Sequence, residues 1–185
     1  EDLLATLIQI QLNAFYGIPV VAKSLLTTSK LPDAQAGAEK AAHTLAAALA
    51  GARIFTNAGL LAVDEIFSAE QLVIDNEIVQ YAQRVCQGYE LSDETLGVDE
   101  IEEVGPGGHF LEHETTLAHY REATWDPELF VHTSLRQWQE KGCESLAARA
   151  RAAARQRIAD HDYELKAEVR RDLEAIYRRA MKECG

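Results

Sequence analysis

Apolar residues recur at helical spacing from the first turn of the chain. Leu3, Leu4, Leu7, Ile8 and Leu12 share one stripe, and the pattern stops near Tyr16, where Gly17 can supply a C′ residue and Pro19 blocks continuation. A first helix is therefore predicted over residues 2–16. The next run, Ile18-Pro19-Val20-Val21-Ala22, is continuously apolar and rich in β-branched residues, as a strand covered on both faces requires. A polar connection over residues 23–33 leads into an Ala-rich helix that Asp33 can cap and Gly51 can end. Residues 52–57 repeat the strand. Gly59 and a loop then precede a third helix, opened by a capping box at Ser68-x-x-Gln71 and ending near Gly88, with Leu72, Ile74, Ile78, Ala82 and Val85 on its stripe.

Two β-loop-α units in succession predict an α/β fold with a parallel sheet or barrel, in which the loops after the strands' C-terminal ends carry the site. The polar loops at 27–33 and 57–67 then share one face. Farther on, residues 92–102 read as a short acidic helix and a further helix starts near Thr115-Thr116-Leu117. Trp125-Asp126-Pro127 marks a turn, and Ser134-x-x-Gln137 caps a short helix that places Leu135 and Trp138 inward before Gly142 stops it. From Glu144 two helices are predicted, broken near Asp160-His161-Asp162. The last carries Leu165, Val169, Leu173, Ile176, Ala180 and Met181 on one stripe. Arg149, Arg151, Arg155 and Arg157 give its predecessor a basic face, either solvated and paired with acidic neighbours or an interaction surface.

Composition narrows the function classes. With 185 residues, 47% hydrophobic and 26% charged, the chain can bury a sizeable core as a soluble globular protein. A net charge of −12 repels nucleic-acid phosphates and anionic membrane surfaces, so neither nucleic acid nor membrane is an expected partner. No apolar run approaches the roughly 20 residues needed to span a bilayer. Cys86, Cys143 and Cys184 are widely spaced with no C-x-x-C pair, which fits reduced thiols and a cytoplasmic location. The chain opens inside an amphipathic helix without an initiator methionine, as a segment of a larger polypeptide would.

Candidate chemistry gathers first at Gly105-Pro106-Gly107-Gly108-His109-Phe110-Leu111-Glu112-His113. Glycines there let the backbone turn sharply or approach a ligand closely; the alternative is that the glycines make a connector and the histidines are ordinary surface or capped residues. His109 and His113 have the i,i+4 spacing of zinc ligands, but the glycines disfavour a helix and the intervening Phe-Leu-Glu departs from the zincin motif, so no metal site is expected. Asp33, Gln35 and Glu39 line the start of a helix after a strand, although capping alone also explains Asp33. Asn57, at the end of the second strand, is either a ligand contact or loop architecture. Asp75 follows an apolar trio and can anchor a neighbouring loop, whereas Glu77 reads as part of a solvated face. No phosphate-binding glycine motif, G-x-S-x-G elbow or activated cysteine is evident, and no catalytic residue is assigned.

Several runs in order resemble the carboxyl-terminal part of the trimethylamine methyltransferase family, the MttB-type corrinoid-dependent methyltransferases. They are Leu31-Pro32-Asp33-Ala34-Gln35-Ala36-Gly37-Ala38-Glu39-Lys40, Ala50-Gly51-Ala52 with Asn57-Ala58-Gly59, Phe67-Ser68-Ala69-Glu70-Gln71-Leu72-Val73-Ile74-Asp75-Asn76-Glu77, and Glu103-Val104-Gly105-Pro106-Gly107-Gly108-His109-Phe110-Leu111. Thr116-Leu117, Trp138 and Gly142 also fit. The resemblance implies the C-terminal part of a TIM (β/α)8 barrel with additional C-terminal helices. On that basis residues 1–185 are a single partial domain, with β/α units and the glycine loop over 1–111 and closing helices over 112–185.

The same resemblance implies transfer of a methyl group from a methylated tertiary or quaternary amine to a corrinoid (cobalamin) carried by a partner protein, none being held tightly by this chain. Two units cannot close a barrel and leave unpaired edges, so the chain is expected to be inactive alone and to form an oligomer or associate with the missing barrel portion. The alternative is a noncatalytic binding or assembly module derived from the barrel. Thr27-Thr28-Ser29-Lys30 matches the region of the family's pyrrolysine and holds only standard residues, which favours the non-pyrrolysine branch and betaine-like substrates. A quaternary ammonium needs aromatic faces and carboxylates around it, for which Tyr16, Phe55 and Phe110 are candidates, with core packing the alternative for Phe55. His109 could orient a substrate carboxylate or support the loop where the corrinoid enters. The implied binding set is Asp33, Gln35, Asn57, His109 and Phe110, converging on one mouth.

Overall fold

A computed structural model describes residues 1–183; Cys184 lies outside the described residues. The chain forms two compact units, residues 1–154 and residues 155–185. The first opens with α1 (Asp2–Phe15), β1 (Val21–Ala22), α2 (Ala34–Leu49) and β2 (Ile54–Phe55). The strands pair in parallel, Val21 opposite Ile54 and Ala22 opposite Phe55, so α2 is the crossover of a βαβ unit, as predicted. The strands are shorter than the apolar runs suggested, since Pro19 has no N–H for the ladder. Only one face is covered. Ala22 is buried, while Val21 and Ile54 are 38% and 51% exposed, which corrects the expectation of a strand buried on both sides.

Capping chemistry placed the helices correctly. Asp33 Oδ1 accepts from Ala36 N at the start of α2 (3.0 Å), and Ser68 Oγ accepts from Gln71 N at the start of α3 (Ala69–Gln87; 3.2 Å). The capping box at Ser68 is only half formed. Gln71 turns its side chain inward and donates through Nε2 to Asp75 Oδ1 (2.7 Å). Between β2 and α3 lies a hairpin that periodicity did not predict, β3 (Leu60–Leu61) antiparallel to β4 (Ile66–Phe67).

The core is centred on the contact between α2 and α3. Leu25, Val73, Ile74, Ile78, Leu129, Ala150 and Ala154 form one apolar cluster; Ile10, Ala22, Ala47 and Ala52 form another, and Phe55 packs against both. Within this interior Lys40 Nζ lies 2.6 Å from Asp75 Oδ2, both side chains fully buried. Asp75 Oδ2 also accepts from Gly59 N (2.7 Å), so the carboxylate does anchor a neighbouring loop. Leu72 and Val85 are exposed rather than on the buried stripe, because Gln71, Asp75 and Glu77 occupy the inward face of α3 beside Ile74 and Ile78. Glu77 is buried, not solvated. Its Oε1 accepts from Leu129 N (2.8 Å) and Phe130 N (3.0 Å), while Arg149 Nε donates to Leu129 O (2.9 Å).

The predicted acidic helix is two helices, α4 (Asp93–Leu96) and α5 (Val98–Val104), divided by Gly97 at φ +61°. After them come α6 (Glu114–Ala123), α7 (Leu135–Glu140) and α8 (Leu146–Ala159). The capping box at Ser134 is complete, but Leu135, the first residue of a six-residue helix, is 68% exposed instead of inward. Trp138 is half-buried and donates its indole N–H to Glu144 O (3.1 Å). Arg151 pairs with Glu70 (2.6 Å), in keeping with a basic face matched by acidic neighbours. Cys86, on α3, is exposed. The second unit contains the end of α8 and α9 (Ala167–Glu183).

The buried pair makes a stability prediction. Asp75→Ala leaves the Lys40 ammonium buried without a counter-charge and is expected to cost about 3–5 kcal/mol in urea denaturation. The double replacement Lys40→Met/Asp75→Leu is expected to cost less than Asp75→Ala alone, because no unpaired charge remains. A double variant at least as destabilised as the single would contradict this reading.

Candidate functional site

The segments that follow β1 and β2 both leave the strands' C-terminal ends and are tied to one another by backbone bonds. Thr56 N donates to Ala22 O (2.9 Å) and Leu25 N to Thr56 O (3.3 Å). Farther out, Ala62 N donates to Ser29 O and Val63 N to Thr27 O, each at 2.7 Å. Those two bonds help hold Ala62 and Val63 in the left-handed region, at φ +49° and +67°, where a β-branched residue is strained without support. Gly59 is required at the base of this loop. Its φ is +80°, and a Cβ would lie 2.7 Å from the Phe67 ring.

On the first loop a polar network surrounds Glu39. Glu39 Oε2 accepts from Thr27 Oγ1 (2.6 Å) and Thr28 N (3.0 Å), while Gln35 Nε2 donates to Glu39 Oε1 (2.8 Å) and Thr28 Oγ1 (2.9 Å). Ser29 Oγ donates to Asp33 Oδ1 (2.9 Å), the oxygen that caps α2. The Thr27 hydroxyl, followed by Gln35, holds the Glu39 carboxyl below its ordinary pKa. Ala36 N–H, followed by Ser29, does the same for Asp33. Both are anions at neutral pH and poor proton donors, so the network is unsuited to general-acid chemistry; the Lys30 ammonium on the same loop donates to Thr28 O (2.7 Å).

Asn57 sits on the adjoining loop at φ +74°, a conformation Asn tolerates, and its Oδ1 accepts from Thr56 Oγ1 (2.8 Å). Loop architecture thus accounts for its carbonyl oxygen. Asp33 and Gln35 are joined through Ser29, Thr27 and Glu39, with Ser29 N donating to Thr27 Oγ1 (3.0 Å), and Asn57 lies on the loop stitched to that network.

The glycine loop builds a different place. Gly108 is required because a Cβ there would lie 2.5 Å from Val104 O, and the tight turn returns the chain toward α5. His113 becomes the N-cap of α6, its Nδ1 accepting from Thr115 N (3.4 Å), with Glu103 3.7 Å from Nε2. His113 is thus a structural residue at the helix start, a capping role that its spacing from His109 did not announce. Phe110 meets the His113 ring edge-on at 6.3 Å and lines a cavity of about 790 Å³ with Leu91, Glu100, Ile101 and His119. Asp33, Gln35, Asn57 and His109 are not in that lining. His109 is exposed.

Of the aromatic candidates, Phe55 packs in the core and Tyr16 lies exposed against Phe15, ring centroids 5.1 Å apart. Tyr81, Trp125 and Phe130 do cluster, their rings edge to face with centroids 5.6–6.3 Å apart. Among the described residues no group of three or more His, Cys, Asp or Glu side chains could hold a metal ion. Likewise, no helix among them is long and apolar enough to cross a membrane.

These elements make an α/β protein in which the segments after two parallel strands are joined into one polar surface that carries the Asp33 and Glu39 carboxylates. The family described as "Trimethylamine methyltransferase (MTTB)" matches residues 1–185, and the chain belongs to that family. It is 35% identical to trimethylamine methyltransferase MttB1 of Methanosarcina mazei over 175 residues, 93% of this chain and 35% of that protein. It is 36% identical to trimethylamine methyltransferase MttB of Methanosarcina thermophila over 168 residues, 89% of this chain and 34% of that protein. Against the glycine betaine methyltransferase of Desulfitobacterium hafniense it is 32% identical over 177 residues, 95% of this chain and 37% of the relative. The chain thus spans about a third of the length of the curated relatives it matches.

The Glu39 network predicts a pH dependence. A carboxylate whose folded pKa is depressed contributes stability above its unfolded value and loses that contribution as pH falls through the folded value. Glu39→Gln is therefore expected to be less stable than the parent at neutral pH, with the difference shrinking below about pH 4. Denaturation midpoints from pH 7 to 2 measure it; a difference that stays constant to the acid end would contradict the assignment.

Proposed function

We propose that this chain is the C-terminal portion of a TIM-barrel methyltransferase that moves a methyl group from a methylated tertiary or quaternary amine to a corrinoid carried by a separate protein. The observation that carries the proposal is the anionic Glu39 network on a loop stitched to its neighbour at the C-terminal ends of parallel strands, where a barrel keeps its site. Family membership and relatives named for trimethylamine and glycine betaine support it.

The chemistry makes modest demands on the protein. The reduced cobalt of the corrinoid, a substrate delivered by the partner, supplies the nucleophile. The C–N bond breaks with its electrons on nitrogen, and a quaternary ammonium departs as a neutral tertiary amine that needs no proton. Asp33 and Glu39, held as anions, suit that case because they favour the cation and have no proton to give. Only standard residues occupy 27–30, in keeping with the non-pyrrolysine branch. Gln35 and Asn57 are the adjacent amides available to orient the substrate, and His109 and Phe110 belong to the glycine loop through which the resemblance brings the corrinoid.

Exposed Leu4, Ile8, Leu12 and Phe15 on α1, together with Val21 and Ile54 on the paired strands, are surfaces that further β/α units would cover. The isolated chain is accordingly inactive, and the complete polypeptide works in the cytoplasm beside its corrinoid partner.

A decisive assay gives reduced corrinoid protein and either glycine betaine or trimethylamine to the chain alone and to the polypeptide that includes the remaining β/α units, following the cobalt spectrum. Consumption of the reduced form is expected only with the larger polypeptide, faster with the quaternary amine. Glu39→Gln is expected to lower kcat/KM at least about tenfold, the equivalent of 1.4 kcal/mol. No reaction with any tertiary or quaternary amine would leave the noncatalytic module as the reading.

A further inference from the structure

Among the described helices of ten or more residues α9 has the strongest segregation of apolar from charged positions, yet Val169, Leu173 and Ile176 are 42%, 51% and 55% exposed. Val169, Leu173, Ile176 and Ala180 are separated by four, three and four residues, the d-a-d-a spacing of a coiled-coil seam. In that register Arg170 and Tyr177 take the e positions and Asp172 and Arg179 the g positions, flanking the seam on its two sides. Outside it, Arg178 pairs with Glu174 (3.1 Å) and Arg171 donates to Ala167 O (3.3 Å), so the outward positions complete their own interactions along the helix.

We propose that α9 is a self-association surface, occupied by α9 of a second copy of this chain in antiparallel orientation. Charge complementarity selects both the occupant and the direction. When two α9 helices run antiparallel with Leu173 of one opposite Ile176 of the other, Val169 falls opposite Ala180. The g positions then face each other, placing Asp172 of each copy beside Arg179 of the other. The e positions put Arg170 against the Tyr177 ring, a cation-over-ring contact. A parallel pair would instead set Asp172 against Tyr177 and form neither ion pair. A surface complementary to itself under a two-fold rotation is what an isologous dimer contact requires. The helix has 17 residues, about 25 Å, so the seam is short and association is concentration-dependent.

Sedimentation equilibrium on the whole chain tests this, since every substituted position is exposed and lies in the second unit. The parent is expected to reach the mass of two chains as concentration rises, and Leu173→Glu to remain at the mass of one. Asp172→Arg and Arg179→Asp each replace attractive contacts with like-charge ones and are expected to weaken association about tenfold. The combined Asp172→Arg/Arg179→Asp exchange restores the pairs with reversed sign and is expected to return the dissociation constant to within about threefold of the parent. A parent that stays monomeric, a dimer indifferent to Leu173→Glu, or a double exchange no better than either single overturns the proposal.

Discussion

The interaction on which the first unit depends is the contact between Lys40 and Asp75. Burial pushes the Asp75 carboxyl up from its ordinary pKa and the Lys40 ammonium down, each opposed by the other. Two apolar residues would fill the space without that desolvation cost. They would also leave the Gly59 N–H and the Gln71 amide, both 2.7 Å from the Asp75 carboxylate, without their present partner. One carboxylate therefore fixes α2, α3 and the base of the loop between β2 and α3. From Gly59 the consequence runs outward, because that loop carries Ala62 and Val63 to Ser29 and Thr27. The first loop in turn holds Glu39 and the cap of α2 in place.

Signals confined to a few neighbouring residues were legible in the chain. Asp33, Ser68 and Ser134 mark helix starts because an N-cap needs only its own first turn, and the parallel pairing of the two apolar runs followed from their β-loop-α order. Glu77 and Leu72 were misjudged for the opposite reason. Glu77 is buried because Leu129 N and Phe130 N, more than fifty residues away, need an acceptor, and no local pattern announces that. Lys40 likewise gives no hint within an Ala-rich helix that its ammonium meets Asp75. The hairpin of β3 and β4 escaped because two-residue strands have no periodicity, and its turn uses Ala62 and Val63 at positive φ instead of glycine.

The candidate site divides along the same line. Gln35 and Glu39 are four apart on one helix, so their contact was readable, and Asp33 was visible as a cap. That Thr27, Thr28 and Ser29 complete the network depends on how the first loop folds back over the start of α2. The histidine pair was the most conspicuous feature of the glycine loop, but His113 serves as a helix cap, while Phe110 lines a cavity beside α5 and α6. A conspicuous spacing is thus less informative than the backbone donor a residue happens to face.

A single buried carboxylate keeps two successive loops in register as one polar face. Hydrogen exchange of the Gly59, Ala62 and Val63 amides in the parent and in Asp75→Ala measures whether it does. All three are expected to lose protection together in the variant, while the amides of α9 exchange as before. Loss at Gly59 alone, with Ala62 and Val63 still protected by Ser29 and Thr27, would show that the loops hold one another without the carboxylate and would overturn this reading.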